Sequence, residues 1–221
     1  LVPHFNKVIY EHTQGDYIIF LGGDDLVKQN HVSKAIEYVK IYPQYYVIDF
    51  SGIIIDSQGR NLRSIELPKK FNISTLDDYI NLNQISSFAP GRIMNRKIFE
   101  KFPRIHSTCP TEDSVMVFRA LLSGGIIRIN ESSVKYRRHD NNISSTEGLK
   151  LMINELIIAQ YSADLNHSLT NKDISPVTYN KTLARLHLQL KLRNLNNQRN
   201  TYMRFFKSII YKLLYKILVK I

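Results

Sequence analysis

Adjacent carboxylates repel one another on a tight loop, and two of the adjacent acidic pairs in this sequence stand where chemistry could use them. Asp24 and Asp25 follow Gly22 and Gly23, directly after an apolar run at residues 17–21. A cation or a set of hydrogen-bond donors must offset that repulsion. Hard carboxylate oxygens suit Mg²⁺ or Mn²⁺, and an ion held by one or two of them completes its shell with phosphates and water. The same four residues also make an ordinary β-turn, where Gly and Asp are favoured. The second pair, Glu112-Asp113, follows Thr111 at the head of a predicted helix. Acids there meet the positive end of the helix dipole, and Thr111 is a suitable N-cap. The third cluster is Tyr136-Arg137-Arg138-His139-Asp140. Its cationic pair suits a diphosphate and its imidazole suits a metal, although a lone histidine is more often a surface group. His4, His12, His31, His106, His167 and His187 have no comparable setting.

Groups so far apart in sequence can meet only if regular elements carry them to one place. Residues 17–21 (YIIFL) read as a strand buried on both faces, as in a parallel sheet covered by helices. Residues 45–50, 52–55, 92–94, 126–129 and 134–136 are further predicted strands, with a turn at Asp56-Ser57-Gln58-Gly59. Helical spacing appears at 33–42, stopped by Pro43, and at 77–82 and 96–102. It appears again at 112–122, closed by Ser123-Gly124-Gly125. From about residue 146 the pattern is helix, turn, helix, with a linker at 170–176. The alternation predicts an α/β fold with a mostly parallel sheet flanked by helices. Ligands in such sheets gather at the carboxyl ends of strands, where the Gly22–Asp25 loop falls.

The chain has 221 residues, 43% of them hydrophobic, enough for one α/β domain and an appendage. A single cysteine, Cys109, excludes a disulfide framework and fits a reducing compartment. No uncharged apolar run is long enough to span a membrane, and the first residues, Leu-Val-Pro-His, lack the features of a secretory signal. They also lack a starting Met. Of 30 basic and 19 acidic residues, ten basic and no acidic ones lie in 181–221. The basic character therefore belongs to the tail, which calls for an anionic surface there.

The order of the clusters is more informative than any one of them. Residues 15–25, then Thr111-Glu112-Asp113, then Lys135-Tyr136-Arg137-Arg138-His139, resemble the second part of a family 2 glycosyltransferase of the GT-A fold. Asn6, the stretch 47–59 and the stretch 91–99 agree as well, so the resemblance covers roughly residues 3–145. It implies a nucleotide-diphospho-sugar transferase-like domain at 1–145, truncated at the N-terminus, and a helical appendage at 146–221. The implied activity is transfer of a sugar, with inversion, from a nucleotide-sugar to an acceptor hydroxyl, in cell-surface polysaccharide synthesis. Asp24 and Asp25 would hold Mg²⁺ or Mn²⁺ at the diphosphate with His139 approaching it. Gly22, Gly23 and Arg137 would contact the donor phosphates. Asp113 would be the general base, with Glu112 orienting the acceptor or raising the Asp113 pKa. Cys109 has no role, because an inverting displacement needs no enzyme nucleophile.

Two departures stand out. Many members have Asp-X-Asp-Asp where this chain has Gly22-Gly23-Asp24-Asp25, and the nucleotide-binding first half is missing. The chain is then either a fragment of a longer product or a non-catalytic remnant or partner subunit. In the tail, Ile210, Leu213, Leu214, Ile217 and Ile221 form an apolar face flanked by Lys212, Lys216 and Lys220. That pattern suits docking on an anionic membrane, with Tyr211 and Tyr215 at headgroup level, or packing on the body or a second subunit. A lipid-linked saccharide acceptor at the cytoplasmic face of the plasma membrane would fit the first reading. Nucleic acid is disfavoured as a partner because no base-reading module precedes the tail.

Overall fold

The computed structural model describes residues 1–139, 153–196 and 201–220. Asp140, Ile221 and the expected domain boundary at 145/146 lie outside them. Helix α1 (Val2–Lys7) runs into a π-helical turn at Val8–His12. Seven strands follow among the described residues: β1 (Tyr17–Phe20), β2 (Leu26–Val27), β3 (Val47–Ile55), β4 (Asn61–Ile65), β5 (Phe71–Ser74), β6 (Arg92–Asn95) and β7 (Ile126–Arg137). The helices between them are α2 (His31–Ile41), α3 (Leu76–Ile80), α4 (Lys97–Lys101) and α5 (Asp113–Leu122). The C-terminal part is α6 (Asn154–Thr170), α7 (Pro176–Asn196) and α8 (Thr201–Lys220).

The sheet order is β1-β6-β3-β7-β2, with β4 on β3 and β5 on β7. The α/β class holds, but the mostly parallel sheet does not. Among the described residues only β3 and β7 pair in parallel, and the other five pairings are antiparallel. An apolar run reports burial of both faces, and short runs read alike in either direction. The expected pairs of strands at 45–50 and 52–55, and at 126–129 and 134–136, are each one long strand. Register shifts where they pass each other, between Phe50 and Gly52, absorb the interruption. β1 is a second correction: it ends the described sheet, and of its four residues only Ile18 is buried.

Alternation along β3 divides the interior. Ile48 and Phe50 join Ile93, Ile127 and Ile129 in a cluster covered by Ala35 and Tyr38 of α2. Val47, Met94 and Ile126 face the other way, into a larger cluster with α1, α4, α5 and α6. Asp49 has the parity of Val47, so a carboxylate points to the α5 side. Helix α5 ends as expected, with Gly124 and Gly125 at φ +106° and +125° and the Gly125 N–H donating to Ala120 O at 2.8 Å. Its start differs: Glu112 is the N-cap residue, and no side chain caps the helix.

Helix α6 lies along α5 through Ile157, Tyr161 and Leu165, with the Phe118 and Tyr161 rings stacked at 4.5 Å. The turn between α6 and α7 falls within the expected linker. In α8 Tyr211 and Tyr215 face inward and not toward headgroups. Tyr215 is buried and its hydroxyl donates to Ile80 O at 2.6 Å, while Lys191 of α7 stands 5.4 Å from the Tyr211 ring centre.

Candidate active site

The loop after β1 is a true turn, with Asp25 N donating to Gly22 O at 3.1 Å. The turn throws both carboxylates back over Gly22. A Cβ at that position would stand 3.0 Å from Asp25 Oδ2 and 3.2 Å from Asp24 Oδ1, so a side chain there would crowd the two acids. Gly23 meets nothing nearby. Strand β2 follows and pairs with β7, and this register brings the third cluster to the loop. Arg137 N donates to Asp25 Oδ1 at 2.9 Å, and His139 Nε2 lies 3.0 Å from Asp24 Oδ2. The Arg137 guanidinium donates to Asp24 O at 2.9 Å and to Asp56 O and Ser57 O at 3.0 Å. It therefore latches the acidic loop to the turn after β3. Burial pushes the Asp25 carboxyl up; the Arg137 N–H pulls it down, and Asp24 repels it further.

The donor set fits a hard divalent cation in part. Two carboxylate oxygens converge, and a Mg²⁺-like ion needs no more from protein when substrate phosphates complete its shell. Among the described residues no three His, Cys, Asp or Glu side chains form a ligand group, and His139 stands beside Asp24 as a hydrogen-bond partner.

Glu112 and Asp113 belong to a neighbouring group that the sequence reading saw only in part. Arg92 donates through Nε and Nη2 to both oxygens of Asp49, at 2.7 and 2.9 Å, and through Nη1 to the Asp113 carbonyl at 2.9 Å. Phe88 N also donates to Asp49, at 2.6 Å. Arg92 and Asp49 are 2% and 0% exposed, so this paired, fully bonded ion pair anchors the first turn of α5 to the sheet. A charged residue in the otherwise apolar run VIDF, at a buried parity, was the available signal for Asp49. Arg92 pairs with Phe20 at the end of β1, so the head of α5 lies beside the strand that feeds the acidic loop. His31, given no role from sequence, braces the same region. Its Nε2 donates to Gly91 O at 3.1 Å, which leaves Nδ1 to accept from Ser133 Oγ at 2.9 Å in the neutral ring that burial favours.

Asp113 is exposed and forms part of the wall of a cavity of ≈ 290 Å³, together with Arg92, Tyr79, Phe118, Tyr161 and Gln189. Protein crowds its flanks, and that desolvation pushes the carboxyl up while Arg92 pulls it down. None of Asp24, Asp25, Arg137 and His139 lines this cavity. Glu112 is 3% exposed and its Oε2 has no partner. Desolvation first, then repulsion from Asp113, pushes it up to about 7. So buried a carboxyl does not reach an acceptor, and its effect runs through Asp113.

Residues 7–102 match the model of glycosyl transferase family 2. The matched segment contains the acidic loop, Asp49 and Arg92, and ends before Glu112. The chain is also similar to a solved structure, TarS 1-349 of S. aureus, at 14% identity and a TM-score of 0.52. The likeness covers 95% of this chain and 58% of that one, so the chain spans little more than half the neighbour's length. At that identity the likeness is one of fold, and the fold is GT-A. A search of curated proteins gave no match.

The Glu112 carboxyl makes a testable demand on stability. Its folded pKa is raised from 4.5 to about 7, so the fold favours the neutral form. The favourable balance is complete below pH 4.5 and is lost as pH rises through 7, by on the order of 3 kcal/mol. Glu112→Gln should abolish this loss, leaving a protein more stable than wild type at about pH 8 and similar at about pH 4. Urea unfolding at the two pH values checks it. An unchanged pH slope would mean that Glu112 has the same pKa folded and unfolded.

Proposed function

We propose that the chain is the acceptor-side part of a metal-dependent, inverting glycosyltransferase that moves a sugar from a nucleotide-sugar to a saccharide hydroxyl. The observation that carries this reading is the convergence of the Asp24 and Asp25 oxygens over Gly22, inside the segment that matches glycosyl transferase family 2. Asp24 and Asp25 would hold Mg²⁺ or Mn²⁺, which when bound stabilises the charge gained by the departing diphosphate. Gly22 leaves room for a phosphate to approach them, and Arg137 adds positive charge while fixing the loop.

Asp113 is the group we assign to the acceptor. Its carboxylate takes the hydroxyl proton as the acceptor oxygen bonds to the anomeric carbon. The bond from that carbon to the diphosphate oxygen breaks on the opposite side, and the nucleoside diphosphate leaves with the electron pair. Arg92 and Asp49 position the Asp113 backbone from behind. The aromatic cavity beside Asp113 would seat the acceptor, free or lipid-linked, in the synthesis of a cell-surface polysaccharide on the cytoplasmic side.

Asp25→Ala should weaken binding of Mn²⁺ and of nucleoside diphosphate together, by at least about 10-fold. Asp113→Asn should leave both unchanged. Titration calorimetry with Mn²⁺, with and without nucleoside diphosphates, measures this. Wild-type protein that binds neither would support a non-catalytic remnant in its place.

A further inference from the structure

Helix α8 packs with its less apolar side inward. Tyr215 is buried against Ile80 and Tyr211 lies by Lys191, which fixes the side of the helix that meets the body. At 100° per residue Phe206, Ile209, Ile210, Leu213, Leu214 and Ile217 fall on the other side. Those six side chains are 38–62% exposed, and they recur at three- and four-residue steps over three turns. An unbroken apolar stripe of that length marks an interaction surface. Lys212 and Lys216, both exposed, stand one turn apart along one edge of it.

We propose that this face lies on an anionic lipid bilayer, with the helix in the plane of the interface. Charge selects this occupant. Residues 181–221 carry ten basic and no acidic side chains, whereas the rest of the chain is nearly balanced. A second copy would bring another face with the same positive charge and no acidic side chain in the segment to offset it. An anionic leaflet attracts the lysines and accepts the stripe together. Among the described residues no helix is long and apolar enough to cross a membrane, so α8 would be embedded only to its outward face. The tyrosine hydroxyl on Ile80 then sets the orientation of the body on the surface. The proposal stands apart from the catalytic reading.

Sedimentation of the 221-residue chain with phosphatidylcholine vesicles, with and without phosphatidylserine, tests it. Wild type should bind the anionic vesicles strongly at low salt and less at high salt, and bind the neutral ones weakly. Changing Lys212 and Lys216 to Gln should weaken anionic binding roughly 30-fold, about fivefold per lysine, and leave neutral binding alone. Changing Leu213, Leu214 and Ile217 to Ser should abolish both with little change in melting temperature, because these side chains are more than half exposed. Asp113→Asn should bind vesicles as wild type does, which separates this surface from the active site. Wild type that ignores vesicles of either charge overturns the proposal. So does a serine variant that loses thermal stability, or a wild-type dimer that the serine variant dissolves, since either would assign the stripe to protein.

Discussion

Asp113→Asn should lower the rate of sugar transfer about 10²- to 10⁴-fold while donor binding stays within about twofold of wild type. The substitution keeps the side-chain shape and removes only the capacity to take a proton. It leaves Arg92 in place, because that guanidinium holds the Asp113 backbone carbonyl and the Asp49 carboxylate and not the Asp113 side chain. The loss should therefore fall on kcat. Its pH profile carries a second signature. Desolvation raises the Asp113 carboxyl above the ordinary range, so the acid limb of wild-type kcat/KM should lie above that of a solvated aspartate, and it should vanish in the variant. A profile whose acid limb survives in Asp113→Asn would move the base elsewhere, and a variant with equal losses in donor affinity and rate would reduce Asp113 to a helix-start residue.

How much of this arrangement could be read from sequence depended on the range of the interaction. The Gly22–Asp25 loop was legible because turn chemistry is local: four residues, two without side chains, suffice to close it. The contact of Asp25 with Arg137 spans 112 positions and exists because β2 pairs with β7. The motif order suggested that the two clusters meet but not how, and the expected role for Arg137 at phosphates missed its grip on three backbone carbonyls. Strand direction was illegible, since an apolar run such as that of β3 says only that both faces are covered. Asp49 and Arg92 each look like a misplaced strand charge until they are seen to neutralise one another. In α8 the amphipathic pattern was legible but its orientation was not. Tyr215 can bury its ring and still satisfy its hydroxyl on Ile80, so an amphipathic side chain took the inward place that a simple apolar count gives to leucine and isoleucine.

The largest stability effect expected of any single change is at Arg119, on the same helix that begins with Asp113. Arg119 is wholly buried and donates from Nε and Nη2 to the two oxygens of Asp164, both at 2.8 Å. Nη2 also reaches Pro103 O at 2.8 Å, and Gln160 donates to Asp164 at 3.0 Å. The pair thus ties α5 to α6 and to the segment after α4. Burial raises the Asp164 carboxyl and Arg119 holds it down. Arg119→Met keeps most of the volume but leaves the acid buried and uncompensated, which should destabilise the fold by about 3–5 kcal/mol. Without the guanidinium the folded pKa of Asp164 climbs further above its unfolded value. The penalty is therefore small at acid pH, where the carboxyl is neutral in both states, and grows as pH rises toward neutrality. Removing the acid as well, in Arg119→Met with Asp164→Leu, should recover most of the loss and flatten the pH dependence, since Arg119 Nη1 has no partner even in the intact pair and the pair is not fully compensated. Denaturant unfolding of the three proteins across pH measures both effects, and a single variant that is equally unstable at acid and neutral pH would show that packing, not the stranded charge, sets the cost.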